Sequence, residues 1–461
     1  MKKKTTQHGM SKVIILALFG FIALVIAGVI FIIIGSKAAP APKAMTLTIW
    51  GVWDETSDLQ SIISAYQGAH PYITIRYVKL RSEEYEERLL KGWATNSGPD
   101  IYALPASWIT KYKTDFITPV PKSTKVAYYT TKKVLFKTET VITEQTDPSL
   151  TPSDVRRNYV DVVYDDVVIN DKIYGLPLGI DTLVMYYNRE LLNQASLVQP
   201  PATWNEFTAA VSRLALVDEQ QNIVRAATAL GTTNNITPAT DILTLLMLQN
   251  GTVMTRGNTI TFTSASATDP SYNPGIEALR FYTDFANPQK AVYTWNPEQP
   301  NALDQFAQGE LAFFFGYKFN EPEIKSKNRG VDYDIAPVPQ VDLNSTVNFA
   351  SYNVYTVAKQ STHANEAWNF IQFASNPKRL KQYLAGTSQA SAVRSVLNEQ
   401  LADPSTAVFA QQALTAKSWF HGKNPETVKE SFTEMIDTVL ADPGQLQAAV
   451  KTAAQKIQLG Y

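Results

Sequence analysis

The sequence predicts an α/β protein of two lobes, preceded by one N-terminal membrane-crossing helix. Three observations predict it: an unbroken apolar run from Val13 to Ile34, a long stretch from Thr46 to Tyr461, and a strand–helix alternation that opens that stretch. At ~100–200 residues per domain, the long stretch fits two units better than one.

The apolar run VIILALFGFIALVIAGVIFIII holds no charged or strongly polar residue. At ~1.5 Å per residue it makes a helix of ~33 Å, enough to cross a hydrocarbon core of ~30 Å. Lys2, Lys3, Lys4 and Lys12 precede it, and only Lys37 and Lys43 follow closely. The basic flank stays inside. Residues 1–12 are therefore expected as a cytoplasmic tail, 13–35 as a signal-anchor in the cell membrane, and 36–45 as a linker to an extracellular or periplasmic domain. The rival reading is a cleaved signal peptide, for which Ser36-Lys37-Ala38 offers a small-residue site. The apolar region of such a peptide is normally ~7–15 residues, shorter than this one. The chain has no cysteine, which excludes a lipid-bearing N-terminal Cys, disulfides and thiol chemistry.

Leaving out the six N-terminal lysines, 35 Lys+Arg face 42 Asp+Glu, a formal charge of −7. Phosphate neutralisation needs clustered Lys and Arg, so this mildly acidic, unclustered domain is not expected to bind nucleic acid. Ala38-Ala39-Pro40-Ala41-Pro42 is a short, stiff spacer.

The elements then follow in order. Leu47 and Ile49 alternate with Thr46 and Thr48, which predicts a strand. Leu59, Ile62, Ile63 and Tyr66 form one helical stripe, which His70-Pro71 breaks before Ile73, Ile75 and Tyr77 alternate again. Tyr85, Leu89 and Trp93 share a helix face, with Glu83, Glu84, Glu86 and Glu87 near its start, where the dipole favours acids. Gly98-Pro99-Asp100 ends that unit, and Ile101–Leu104 makes a third strand. This grammar predicts parallel βαβ units in a sheet covered on both faces. Ligands of such sheets sit beyond the carboxyl ends of the strands. The loops there carry Trp50, Trp53, Asp54, Glu55 and Trp108, although Trp50 could equally pack behind the first strand.

Further on, Thr203-Trp204-Asn205-Glu206 predicts a capping box ahead of Phe207, Val211 and Leu214. Gly309 ends a helix and feeds a strand, Leu311–Phe315, that stops at Gly316-Tyr317. Val428, Phe432, Met435 and Val439 form a helical stripe, and Lys451–Gln458 predicts a last helix. The segment Lys122–Tyr159 reads as an insertion with β-rich pieces.

Four stretches together resemble a family: LTIWGVWDE, GPDIYALPASWI, YGLPLGIDTLVMYYNRELL, and GELAFFFGYKF followed by NFASYNVYTVAK. From Thr46 onward the chain resembles the extracellular solute-binding proteins of ABC importers, the sugar-binding type that includes maltose-binding protein. The resemblance implies a two-lobed periplasmic-binding-protein-like fold with a hinge. Lobe one is expected at 46–178 and 351–401, and lobe two at 179–350 and 402–461. Crossings are expected near 178–182, 347–352 and 401–405, with Gly179, Ala350 and Tyr352 as hinge residues. It also implies a monomer that captures a small solute, a carbohydrate above all, and delivers it to the permease subunits of an ABC importer. Asp181 stands where sugar receptors of this type often carry an acidic ligand residue.

Aromatic residues make up 11% of the chain and eight are tryptophans. Sugar faces stack on such rings while carboxylates and amides take the hydroxyls. Most of these rings must be core. Trp53, Trp108, Tyr317 and Trp419 follow strands or sit in polar contexts. Together with Asp54, Asp181 and Gly316 they make the expected ligand-binding set.

No cofactor, metal or catalytic residue is expected. His8, His70, His363 and His421 lie far apart in the sequence with no metal-ligand spacing, and GxSxG, Walker and GxGxxG patterns are absent. Asp332-Tyr333-Asp334 reads as a solvated pair. A glycoside hydrolase, which needs two opposed carboxylates, and a tethered carbohydrate sensor or adhesion domain on the same fold are the alternatives.

Overall fold

The computed structural model describes residues 41–134 and 137–461. The expected tail 1–12, the span 13–35 and the start of the linker lie outside the described residues. Among the described residues, no helix is long and apolar enough to cross a membrane.

Two five-stranded sheets define two lobes. In lobe one the order is Ile73–Lys79, Met45–Gly51, Ile101–Pro105, Asn353–Ala358, Ile117–Thr118. The first three strands run parallel, as the βαβ reading requires. Asn353–Ala358 is antiparallel to Ile101–Pro105. The chain returns here from the other lobe and meets the sheet at its carboxyl edge, so it can only run back. In lobe two the order is Leu216–Val217, Ile223–Thr228, Leu311–Gly316, Val184–Asn188, Tyr333–Ala336. Both sheets are therefore mixed: they hold parallel pairs, as the sequence predicts, together with antiparallel strands.

A third sheet of short strands connects them, ordered Ala390–Ser391, Gly179–Thr182, Asn348–Ser351, Ala416–Lys417. Gly179–Thr182 leads directly into Val184–Asn188 of lobe two, and Asn348–Ser351 directly into Asn353–Ala358 of lobe one. Ser351 pairs with Asp181 and Ala350 with Thr182. Residues 401–406 form the turn between helices Arg394–Gln400 and Ala407–Ala413, and pairing to the crossing sheet comes later, at Ala416–Lys417.

The helices form where periodicity and caps place them. Leu59, Ile62, Ile63 and Tyr66 are the buried face of Thr56–Ala69, which starts with reciprocal bonds between Glu55 and Asp58. Ser82–Ala94 buries Tyr85, Leu89 and Trp93. Thr203 and Glu206 cap Trp204–Leu214 as the sequence predicts. Gly309 closes Ala302–Gln308 at φ 84°, a left-handed turn that glycine adopts without steric cost. The last helix, Leu446–Leu459, begins earlier than expected and packs on Pro425–Ala441.

The expected insertion with β-rich pieces is a long hairpin, Ser123–Val134 paired with Lys137–Pro148, followed by helix Pro152–Asn158. Its base packs on Ala364–Ala374 of lobe one.

Candidate functional site

The crossing strands bring residues of both lobes to one cleft of about 200 Å³. From lobe one come Pro105, which ends the third strand, Ala106 and Ser107, which follow it, and Asp166 from helix Asp161–Val167. The crossing supplies Ala350, Ser351 and Tyr352. Thr240 and Asp241, in the first turn of helix Ala239–Gln249, line it from the other side with Trp419, Phe420 and Lys429. A larger cavity of about 360 Å³ surrounds Trp204, Tyr272 and Phe281. It draws its walls from lobe two alone, so domain closure would not act on it.

The two carboxylates of the cleft, Asp166 and Asp241, are already partnered within the protein. Asp166 is buried. It accepts from the Tyr352 hydroxyl at 2.6 Å, from the Ser418 hydroxyl, and pairs with His421 Nε2 at 2.9 Å. One carboxylate thus ties helix Asp161–Val167 to Tyr352 of the crossing and to the segment entering helix Pro425–Ala441. Burial works against a charge on His421, but the hydrogen bond and charge of Asp166 outweigh it and hold the imidazole above its ordinary value. Near Trp108, Lys111 Nζ reaches Glu86 at 2.6 Å in lobe one and Glu426 at 3.1 Å on helix Pro425–Ala441.

Asp181 lies in the crossing strand and is 8% exposed. Its Oδ1 accepts from the amides of Thr182 at 2.9 Å and Lys318 at 3.1 Å. Burial pushes its carboxyl up to about 7 against the pull of those amides. Tyr317 is buried, its hydroxyl donates to Asp241 Oδ2 at 2.7 Å, and its ring lies parallel to Phe319 at 5.4 Å. Phe319 itself is exposed. Burial also raises the Asp241 carboxyl, and the Tyr317 hydrogen bond opposes that shift. Gly316 has no room for a side chain: a Cβ would sit 2.6 Å from the Phe314 ring and 2.8 Å from Asn320 Oδ1. Gly179 is likewise closely packed, against Gln389.

The expected residues therefore fall into groups. Trp419, Ala350 and Tyr352 line the cleft. Tyr317 reaches it through Asp241. Asp181 does not line it, and its link to the cleft is its strand pairing with Ser351, which does. Trp108 ends the turn Ala106–Trp108 next to Ser107 and carries Lys111 Nζ 5.1 Å from its ring centre. Trp419 stacks on Phe432 at 5.9 Å and is mostly buried, so it forms a firm wall. Trp53 and Asp54 are not among the residues lining the cleft. Trp53 is 42% exposed, with its edge to Tyr85 at 6.1 Å. Asp54 is buried, with its carboxylate oxygens accepting from the hydroxyls of Tyr355 and Tyr383, and its carbonyl accepting from Tyr77 at 2.8 Å. Burial raises its carboxyl while the two tyrosines pull it back. A carboxylate so committed holds the loop and leaves Trp53 outside.

Sequence reasoning missed Asp166, Asp241, Ser418 and the role of His421. The signal for Asp166 was present: Asp165-Asp166 interrupts a valine-rich helix, Asp161–Val167, where an acid must find partners. Asp332 and Asp334 both face Arg189, at 2.6 and 3.8 Å, and are exposed. Among the described residues no cluster of His, Asp or Glu could hold a metal ion.

Comparison with known proteins now adds to the geometry. A family model described as bacterial extracellular solute-binding protein matches residues 61–417. The galactooligosaccharide-binding protein of Bacillus subtilis is 22% identical, over 92% of each chain. Among solved structures, the cyclic alpha-maltosyl-1,6-maltose binding protein of Arthrobacter globiformis superposes with a TM-score of 0.69 at 16% identity, covering 90% of this chain and 98% of that one. The sugar-binding protein MalE of Xanthomonas citri gives a TM-score of 0.67 at 20% identity, covering 90% and 96%.

Proposed function

The chain belongs to the bacterial extracellular solute-binding proteins, and on that premise we propose that it captures a carbohydrate between its lobes and delivers it to an ABC importer, tethered by Val13–Ile34. The family is one of binding proteins, not enzymes. The single observation that carries the proposal is a cleft walled by both lobes and by the crossing, with aromatic rings at Trp419 and Tyr352 beside the carboxylates Asp166 and Asp241. Rings and carboxylates at one place suit a ligand with apolar faces and a hydroxyl rim. The names of the relatives, which are oligosaccharide binders, support the same ligand class.

Ligand sites usually occupy ~300–1,000 Å³, so a cleft of about 200 Å³ admits an oligosaccharide only when the lobes part. Contacts that span the cleft, Lys111 with Glu426 and Asp166 with Ser418 and His421, favour the closed arrangement. A ligand gripped from both sides shifts the balance further towards closure. In this reading Gly179, Ala350 and Tyr352 are the hinge, and the lobes divide at 178–182, 347–352 and 401–405. Asp181 acts through the crossing, and Tyr317 from the wall of lobe two. Trp53 acts from the rim of lobe one as a stacking face.

The test is a thermal-shift screen of the protein with galacto-, malto- and cyclic oligosaccharides. A ligand that binds only the native state adds ~2.7 kcal/mol at a hundredfold excess over Kd. Small-angle scattering with the best ligand is expected to show a smaller radius of gyration. Tight binding with an unchanged radius would overturn the closure mechanism, and product formation would restore the hydrolase alternative.

A further inference from the structure

The cavity of about 360 Å³ in lobe two is left unused by capture between the lobes. Without any movement of the lobes it falls within the ~300–1,000 Å³ that small-molecule sites occupy. No residue lines both this cavity and the cleft. Helix Ala239–Gln249 runs from one to the other. Asp241 in its first turn lines the cleft, whereas Leu246 and the capping Asn250 line the cavity. At ~1.5 Å per residue, Asp241 and Asn250 stand ~13 Å apart along the helix axis.

The rings around this cavity are held in place before any ligand arrives. Trp204 Nε1 donates to Gln249 Oε1 at 2.6 Å, and the indole stacks on Phe315 at 5.7 Å and meets Phe281 edge-on at 5.5 Å. Tyr272 is 37% exposed, and its hydroxyl donates to Asn250 Oδ1 at 2.8 Å. Asn250 Nδ2 donates in turn to the Pro274 carbonyl at 2.9 Å. A ring fixed in this way adds little ordering cost to binding. Asn205 and Asp284 supply polar groups to the same lining. Glu277 and Arg280 line it too, but Arg280 Nη1 takes both Glu277 oxygens, at 2.7 and 2.6 Å. With that pair neutralised, Asp284 leaves the lining net negative, which disfavours an anionic ligand. Fixed rings beside an amide and a carboxylate match a neutral molecule with apolar faces and hydroxyl edges.

We infer that this cavity is a second saccharide site, carried by lobe two alone, where the Tyr272 ring meets a sugar face and Asn205 and Asp284 take hydroxyls. The inference stands apart from the cleft, since the two share no lining residue. All its walls belong to one lobe, so binding there needs no closure and leaves the crossing strands where they are.

The full chain has no cysteine, so one introduced thiol can be labelled cleanly. V341C, on the cavity wall at a residue 52% exposed, carries an environment-sensitive dye, and L90C, 43% exposed in lobe one, is the reference. Each labelled chain is purified in a detergent without a sugar headgroup and titrated with maltotriose and with galactotriose. The V341C dye is expected to respond and saturate with at least one of them, and the L90C dye to stay unchanged. Y272A and N205A, both at exposed positions, are each expected to weaken that response about fivefold, the worth of one ordinary contact. D241N, which keeps an acceptor for the Tyr317 hydroxyl, is expected to leave the response intact. Three results would overturn the inference: a V341C dye silent with both sugars, a response indifferent to both Y272A and N205A, or a response lost in D241N, which would make the dye a reporter of closure. Small-angle scattering on the same samples reads the cleft separately. A silent dye with a shrinking radius refutes the second site alone, while a response that needs Tyr272 at constant radius supports the second site and counts against closure.

Discussion

Asp181→Asn should make the protein's stability less dependent on pH. The Asp181 carboxyl is pushed up to about 7 by burial, from 3.8 for an unhindered aspartate. The native state therefore holds this proton more tightly than the unfolded chain does. Its favourable contribution is complete below pH 3.8, declines as pH rises through the window up to about 7, and is gone above it. One pKa unit is worth about 1.4 kcal/mol, so between pH 4.5 and pH 8 the wild type loses about 3 kcal/mol at this site that the asparagine variant keeps. Asparagine retains an oxygen to accept from Thr182 and Lys318, so the amides stay satisfied. Urea unfolding of both proteins, followed by tryptophan fluorescence at several pH values, reads the difference directly. A difference between the two that stays within about 0.5 kcal/mol, the range of an ordinary surface change, would refute the claim that burial keeps this carboxyl neutral.

Asp54→Ala strands two buried tyrosine hydroxyls, those of Tyr355 and Tyr383, and is expected to cost about 2–5 kcal/mol in denaturant unfolding. Trp53→Ala should change stability by less than about 0.5 kcal/mol while weakening oligosaccharide binding in calorimetry, which separates the holder from the stacking face. His421 sits above its ordinary value, so its tie to Asp166 is complete below pH 6.5 and fades as pH climbs through the raised native value. Ligand affinity is expected to fall on moving to alkaline pH, and His421→Asn to flatten that trend in titrations. N-terminal sequencing of membrane-extracted protein is expected to find the segment Val13–Ile34 retained, and a start near Ala39 would show cleavage instead.

The α/β class and the opening elements were legible because each depends on local pattern. The Leu59–Tyr66 stripe, the Thr203–Glu206 box and Gly309 require nothing from distant residues. Orientation of the strand Asn353–Ala358 was not legible, because it is fixed by the route through the crossing. The hairpin was hidden for a related reason. Its arms mix lysine, threonine and glutamate with few apolar alternations, since most of its length covers no core. At the site, the residues found from sequence were those following strands, whereas Asp166 and Asp241 belong to helices and acquire meaning only from partners more than seventy positions away. Asp54 shows the converse. An acid in a loop after a strand invites a ligand role, and only the tyrosines Tyr355 and Tyr383, supplied from the far end of the chain, reveal that it is spoken for.

The strand Asn353–Ala358 sits between Ile101–Pro105 and Ile117–Thr118, so the first lobe is completed by residues made after most of the second. During synthesis the early strands must wait, with one edge unfilled, until some two hundred and fifty later residues have emerged. Sheets closed by such distant partners assemble slowly and expose pairing edges in the interval. For a chain destined to be threaded outward through a membrane this delay is an asset, because a polypeptide that cannot finish its first lobe early stays extensible while it is being exported.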